Sequence, residues 1–193
     1  MRHTETLKLA KAEVRLLRQT TQYTCCAASL ASAFNCLGLE NITEKEINRI
    51  LKCEPQRGAS WQDILVCCQY FGIRGELVIP CTINTLKEWT DKGLPVVIGW
   101  NPEGRPWSHA SIVFDVDDKD NVYIMDPNIP NPDETTRILP KEKFYSLWYE
   151  KSEEILVRRP AMVLSREVDD QGRQVLASQK DFFKYYKESF LKK

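Results

Sequence analysis

Residues 19–37 read QTTQYTCCAASLASAFNCL, and the rest of the chain is read outward from them. From Cys25 to Leu37 the run is apolar on almost every side, broken only by Ser29, Ser32 and Asn35, and Gly38 follows as a helix stop. A helix that is apolar all round belongs in the middle of a domain. Thr24 is the expected N-cap, which puts Cys25 in the first helical turn. There the helix dipole and unpaired backbone N–H groups favour a thiolate over a thiol. Gln19 lies six residues before Cys25. From there its amide can return beside the sulfur and donate an N–H to an oxyanion. This is the layout of a cysteine nucleophile. The plainer alternative is a buried helix with an inert cysteine, a residue type that is often buried.

The remaining sequence narrows the choice. A length of 193 residues suits a single domain, with a core over about 14–165 and a turn and helical extension over 166–193. Lys plus Arg and Asp plus Glu number 27 each, so the balanced charge gives no reason to expect nucleic acid or an anionic membrane surface as partner. No apolar run approaches a membrane span. The first 17 residues alternate charged with apolar residues and lack a signal-peptide core, which implies a cytoplasmic, reducing setting. The seven cysteines include two adjacent pairs, Cys25–Cys26 and Cys67–Cys68, but no CxxC, and there are only two histidines. That pattern fits free thiols, with no metal and no cofactor expected.

Along the chain, residues 13–18 read as an extended lead-in to Gln19. Thr43 with Glu46, and Ser60 with Asp63, form two capping-box signals before helical patterns. Residues 73–79 read as a strand and 83–92 as a helix ending at Gly93. The period then changes: 95–100, 107–116 and 122–126 read as strands, with DDKDN (117–121) as a turn. After a proline-rich loop, Pro140 is expected at the first position of a helix over 140–150. Strands at 155–158 and 161–165, a DDQG turn at 169–172 and a last helix over 179–192 complete the pattern. Helices first and antiparallel strands after them indicate an α+β domain.

A cysteine nucleophile wants an imidazole partner. His3 is near the terminus, whereas His109 lies on an expected core strand, so His109 is the base. Its alternative reading is a satisfied core histidine. A two-residue hairpin around Asp118 and Lys119 would place Asp126 opposite Ser111, diagonal to His109 at about 7–8 Å between backbones. Asp115 shares that face but sits about 20 Å along the strand, so Asp126 is the favoured partner and Asp115 the rival.

QTTQYTCCAASL, HASIVFDVDD and VYIMDP, taken together and in this order, resemble the bacteriocin-processing, double-glycine-leader cysteine peptidase family of the papain-like fold. The resemblance spans roughly residues 14–150, and KFYSLWY resembles the helix and aromatic closure that follow the Asp in that family. It implies Gln19 as the oxyanion donor, Cys25 as nucleophile, His109 as base and Asp126 as its orienting partner. It also implies a peptide or protein substrate. Two departures stand out: Cys26 replaces the glycine usual after the nucleophile, and no exporter-like membrane segment is read in this chain. The expectation is a cysteine peptidase that needs no cofactor. The alternatives are an acyltransferase or deamidase with the same triad, and a non-catalytic peptide-binding module. The oligomeric state is left open.

Overall fold

The protein is seen as a computed structural model that describes residues 5–6, 16–55, 58–102, 107–131, 134, 136–151 and 156–168. After a two-residue strand β1 (Glu5–Thr6) come three helices, α1 (Cys25–Cys36), α2 (Glu44–Leu51) and α3 (Trp61–Tyr70). Strand β2 (Arg74–Val78) and helix α4 (Ile83–Asp91) lead into β3 (Val96–Trp100), β4 (His109–Val116), β5 (Val122–Met125) and β6 (Arg137–Leu139). Helix α5 (Lys141–Leu147), β7 (Tyr149–Lys151), β8 (Leu156–Arg158), β9 (Ala161–Ser165) and β10 (Glu167–Val168) follow.

The main sheet has the order β2-β9-β3-β4-β5-β6, antiparallel throughout. Strands β7 and β8 pair with each other, as do β1 and β10. Side chains alternate across the sheet, and here both faces are covered. Val97, Ile112, Met125 and Met162 pack against α1, α2 and α3. Val96, Ile98, Trp100, Val113 and Ile124 pack against α4 and α5. A strand buried on both faces has no polar side to show, which is why 95–100 reads as a continuous apolar run. The result is an α+β fold of N-terminal helices against an antiparallel sheet, as the order of patterns implied.

Both capping boxes form. Thr43 Oγ1 accepts from the Glu46 N–H at 3.3 Å while Glu46 Oε2 accepts from the Thr43 N–H at 2.9 Å. Ser60 and Asp63 repeat the arrangement at the start of α3. Helix α1 differs. Thr24 occupies the N-cap position without a side-chain cap bond, since its hydroxyl bonds with Thr21 instead.

The β4–β5 connection also departs from expectation. The loop is Asp117–Asn121, closed by the Val116↔Val122 pair, with Asp117 Oδ1 accepting from the N–H groups of Lys119 and Asn121. The longer loop shifts the register by one, and a bulge between Val113 and Asp115 shifts it back to Ile112↔Met125. Continuing that ladder one step sets Asp126 opposite Ser111. The expected neighbour is reached through two irregularities that cancel.

Pro140 is the N-cap of α5, not its first helical residue, and the helix stops at Leu147, so Tyr149–Lys151 is strand. Residues 16–19 carry no strand pairing, and β6 arises between the expected loop and the expected helix, where the sequence pattern marks no element. The DDQG turn and the last helix lie outside the described residues.

Candidate active site

The polar residues that interrupt the apolar face of α1 each hold something in place. Ser32 Oγ donates to Ala28 O and accepts from the Leu17 N–H at 2.8 Å, which ties the lead-in to the helix. Ser29 Oγ donates to Ala110 O at 3.2 Å, joining α1 to β4 one residue beyond His109. Asn35 holds the Ile42 backbone through both its amide groups. The lead-in is tied to the other end of the site as well. The Gln19 N–H donates to Pro127 O at 3.0 Å. Arg18 donates to the carbonyls of Ile129, Asn131 and Glu134. Gln19, Cys25, His109 and Asp126 are therefore positioned by one web of bonds joining α1, the lead-in, β4 and the loop after β5.

His109, the first residue of β4, is 3% exposed, and Asp126 is fully buried. His109 Nε2 lies 2.6 Å from Asp126 Oδ1. That bond commits Nε2, so Nδ1 is the ring nitrogen left for the Cys25 thiol, with which the imidazole is also hydrogen-bonded. Trp100 flanks the pair: its ring lies 6.4 Å from that of His109, and its Nε1 donates to Ser111 Oγ at 3.0 Å.

Asp126 is held by more than the histidine. Oδ1 also accepts from the Asn128 N–H at 2.9 Å, and Oδ2 accepts from Arg137 Nε at 2.6 Å. Arg137 is a site residue that sequence reasoning missed. It stands on β6 opposite Ile124, the residue two before Asp126. The available clue was chemical: a carboxylate inside a core needs a cation beyond a neutral imidazole. Asp115 pairs instead with Tyr123 on the hairpin side of the bulge, away from His109.

These contacts set the charges. Burial alone would push the Cys25 thiol up, but the hydrogen bond and charge of His109, with backbone donors at Ala110 and Cys26, hold it below its ordinary value. Burial would lower His109, yet Asp126 and Cys25 hold it above its ordinary value. Burial also opposes the charge on Asp126, and His109, the Asn128 N–H and Arg137 together bring its carboxyl down to about 2. Each of the three groups is thus shifted toward its charged form, Cys25 toward thiolate, His109 toward imidazolium and Asp126 toward carboxylate.

Other thiols differ sharply. Burial pushes Cys53 and Cys81 up to about 11 and Cys67 up to about 12, and moves Cys26 and Cys68 well above the ordinary thiol range. The Cys26 side chain, 3% exposed, belongs to the core under α1 together with Cys53, Cys67 and Cys68. Gln19 Nε2 donates to Thr21 O at 2.7 Å, which uses one of its two amide hydrogens, and Gln19 Oε1 is a buried acceptor without a donor. Among the described residues no group of three or more His, Cys, Asp or Glu is arranged to hold a metal ion. Nor is any described helix long and apolar enough to cross a membrane.

Residues 11–155 match the Peptidase_C39 like family. The peptidase domain of Streptococcus ComA, a bi-functional ABC transporter involved in a quorum-sensing pathway, has a TM-score of 0.61 to this chain. It is 20% identical, over 79% of this chain and 98% of its own. A double glycine motif protease from an AMS/PCAT transporter, solved in complex with the leader peptide, has a TM-score of 0.61 at 17% identity, over 86% of this chain and 98% of its own. A C39-like peptidase from Bacillus anthracis has a TM-score of 0.61 at 16% identity, over 82% and 97%. At such identities the likeness to these structures is one of fold. No curated protein matches the chain at a significant level.

Proposed function

The chain belongs to the Peptidase_C39 like family and is a cysteine peptidase, and we propose that it cleaves a peptide bond with Cys25 as nucleophile, His109 as base and acid, and Asp126 as the group that orients His109. The observation that carries this assignment is the division of the two imidazole nitrogens. Nε2 is committed to a buried carboxylate at 2.6 Å, and the other nitrogen serves a thiol at a helix N-terminus.

In the proposed reaction the Cys25 proton resides on His109, and the thiolate attacks the substrate carbonyl. The negative charge that develops on the carbonyl oxygen is met by the Cys25 N–H and by the second amide hydrogen of Gln19. His109 passes its proton to the departing amine. Water, deprotonated by the same imidazole, then attacks the acyl group, and the sulfur leaves as thiolate beside the protonated His109, restoring the starting pair. Activity requires a pH above the Cys25 titration and below that of His109. It is lost on the acid side as sulfur takes a proton, and on the alkaline side as His109 loses one. Double-glycine leader peptides are the first substrates to offer, since one of the similar structures is a double glycine motif protease in complex with the leader peptide. The free thiols support a cytoplasmic setting.

The test is mass spectrometry of peptide libraries, including double-glycine leaders, after incubation with wild type and with Cys25→Ala. Cleavage products formed by wild type alone are the expected result. Products formed equally by both proteins, or acyl transfer to added amines in place of hydrolysis, would overturn this reading.

A further inference from the structure

Glu150 lies in the region of the candidate site but has no part in the chemistry above. It is the middle residue of β7, which crosses the ends of β3 and β4. The Lys151 N–H donates to Ser108 Oγ at 3.0 Å, one residue before His109, and the Asn101 N–H donates to Leu147 O at 2.8 Å. The carboxylate lies against the backbone of Gly99. A Cβ on Gly99 would collide with Glu150 Oε1, so the missing side chain makes the space that Glu150 fills. Gly99 pairs with Ala110, and a backbone group of Ala110 bonds the Cys25 sulfur. Glu150 is thus linked to the nucleophile through Gly99 and Ala110, across the β3–β4 strand pair.

The bonding of Glu150 is incomplete. Oε2 accepts from Trp61 Nε1, at the start of α3, at 2.9 Å. An ionised carboxylate offers about four acceptor positions, and among the described residues Trp61 is the donor to this one. No Lys or Arg among them pairs with it. A glutamine would accept from Trp61 equally well without the cost of partly burying a charge. Burial pushes the Glu150 carboxyl up, with the Trp61 bond only partly opposing it, so an added cation would relieve the site.

We propose that Glu150 is the base of a substrate subsite beside the scissile bond, where it takes the ammonium or guanidinium of a Lys or Arg side chain. This rests on the peptidase reading above, and it names a substrate feature which that reading leaves open. The bound cation would complete the carboxylate that Trp61 half satisfies and Gly99 accommodates. Trp61 is then a positioning residue: it fixes one oxygen so that the other is presented.

Two measurements test it. The first is cleavage of a peptide library that places Lys, Arg, Leu, Gln or Glu singly at each position within two residues of the cut. Wild type is expected to favour Lys or Arg over Leu at one position by about tenfold or more in kcat/KM, the scale of a charge-assisted hydrogen bond. In Glu150→Gln that ratio falls toward one, and in Glu150→Lys it inverts in favour of Glu. A wild type indifferent to basic residues, or a preference that survives in Glu150→Gln, would overturn the subsite. Should Glu150→Lys fail to melt cooperatively, Glu150→Gln and the shorter Glu150→Asp carry the comparison.

The second measurement needs no turnover. Cys25 is labelled with cationic aminoethyl methanethiosulfonate and with neutral methyl methanethiosulfonate. The ratio of the two rates should fall severalfold from wild type to Glu150→Gln. An unchanged ratio would overturn the proposal. An uncut library combined with a shifted labelling ratio would refute the peptidase reading and keep the cation subsite.

Discussion

Asp126 shows how one side chain can serve chemistry and stability together. Its two oxygens are divided between His109 and Arg137, and the division has separate consequences. Without Asp126 the imidazole loses its fixed tautomer and accepts the thiol proton poorly. Asp126→Ala is therefore expected to slow both peptide turnover and iodoacetamide labelling of Cys25 near pH 7, with labelling recovering in alkali as the thiol ionises unaided. Asp115→Ala, altered on the hairpin side of the bulge, is expected to leave labelling at the wild-type rate. Equal effects from the two variants would place the orienting carboxylate elsewhere. The stability consequence follows from the carboxyl being lowered from its ordinary 3.8 to about 2. A group lowered by folding stabilises the native state fully above its unfolded pKa, and that contribution disappears as pH falls through the folded one. Here it amounts to about 2 kcal/mol, present above about pH 4 and gone by about pH 2. Asp126→Asn cannot lose what it lacks. Its unfolding free energy by urea titration should decline less over that interval than the wild-type value does.

Among the elements, the helix starts divide by purpose. Helices α2 and α3 begin with complete capping boxes. Thr43→Ala and Ser60→Ala should each cost about 1 kcal/mol in urea unfolding, with the rate of Cys25 alkylation unchanged. Slower alkylation in either would mean that these helix starts feed the site. Helix α1 leaves its cap hydroxyl out and turns a first-turn N–H to sulfur. The caps were legible because a capping box is local, four residues with a fixed grammar. The β3 run was legible because a doubly covered strand is apolar in every position. Cys25 and His109 could be singled out for a different reason: Cys25 follows a helix-start signal, and His109 is one of only two histidines, the other being next to the terminus. Arg137 escaped because a three-residue strand in a proline-rich stretch carries too little pattern to announce itself. Glu150 escaped because its strand follows α5 with no Gly or Pro between them, so FYSLWYE continued a helical reading. The β4–β5 register was reached by a hairpin that does not exist, since a five-residue loop and a bulge cancel, and no local pattern encodes such a cancellation.

At the scale of the whole molecule, α1 is the shared wall of the helical layer and the sheet. Every residue from Cys26 to Phe34 is buried, and the Phe34 ring packs against that of Phe71, just beyond α3, tilted at 57° with centroids 5.4 Å apart. Truncating Phe34 to Ala should cost about 3–5 kcal/mol, enough to consume a large part of a typical domain's stability. The variant is expected to show a sharply lower thermal midpoint and, where still folded, normal labelling of Cys25. A small shift in midpoint would mean that α1 and α3 hold together without this contact.

The place of β9 in the sheet has a consequence for the protein while it is being made. That strand lies between β2 and β3, and its pairing with β2 joins Arg74 to Ser165. A nascent chain that has reached Arg158 already contains Gln19, Cys25, His109 and Asp126, yet the sheet beneath them is still split by a one-strand gap. Translation adds about 5–20 residues per second, and pairings between distant segments are the slow ones to form. Strands β3 to β6, which carry His109 and lie next to Asp126, can already pair with one another at that stage, whereas β2 joins the main sheet only once β9, its last strand, has left the ribosome.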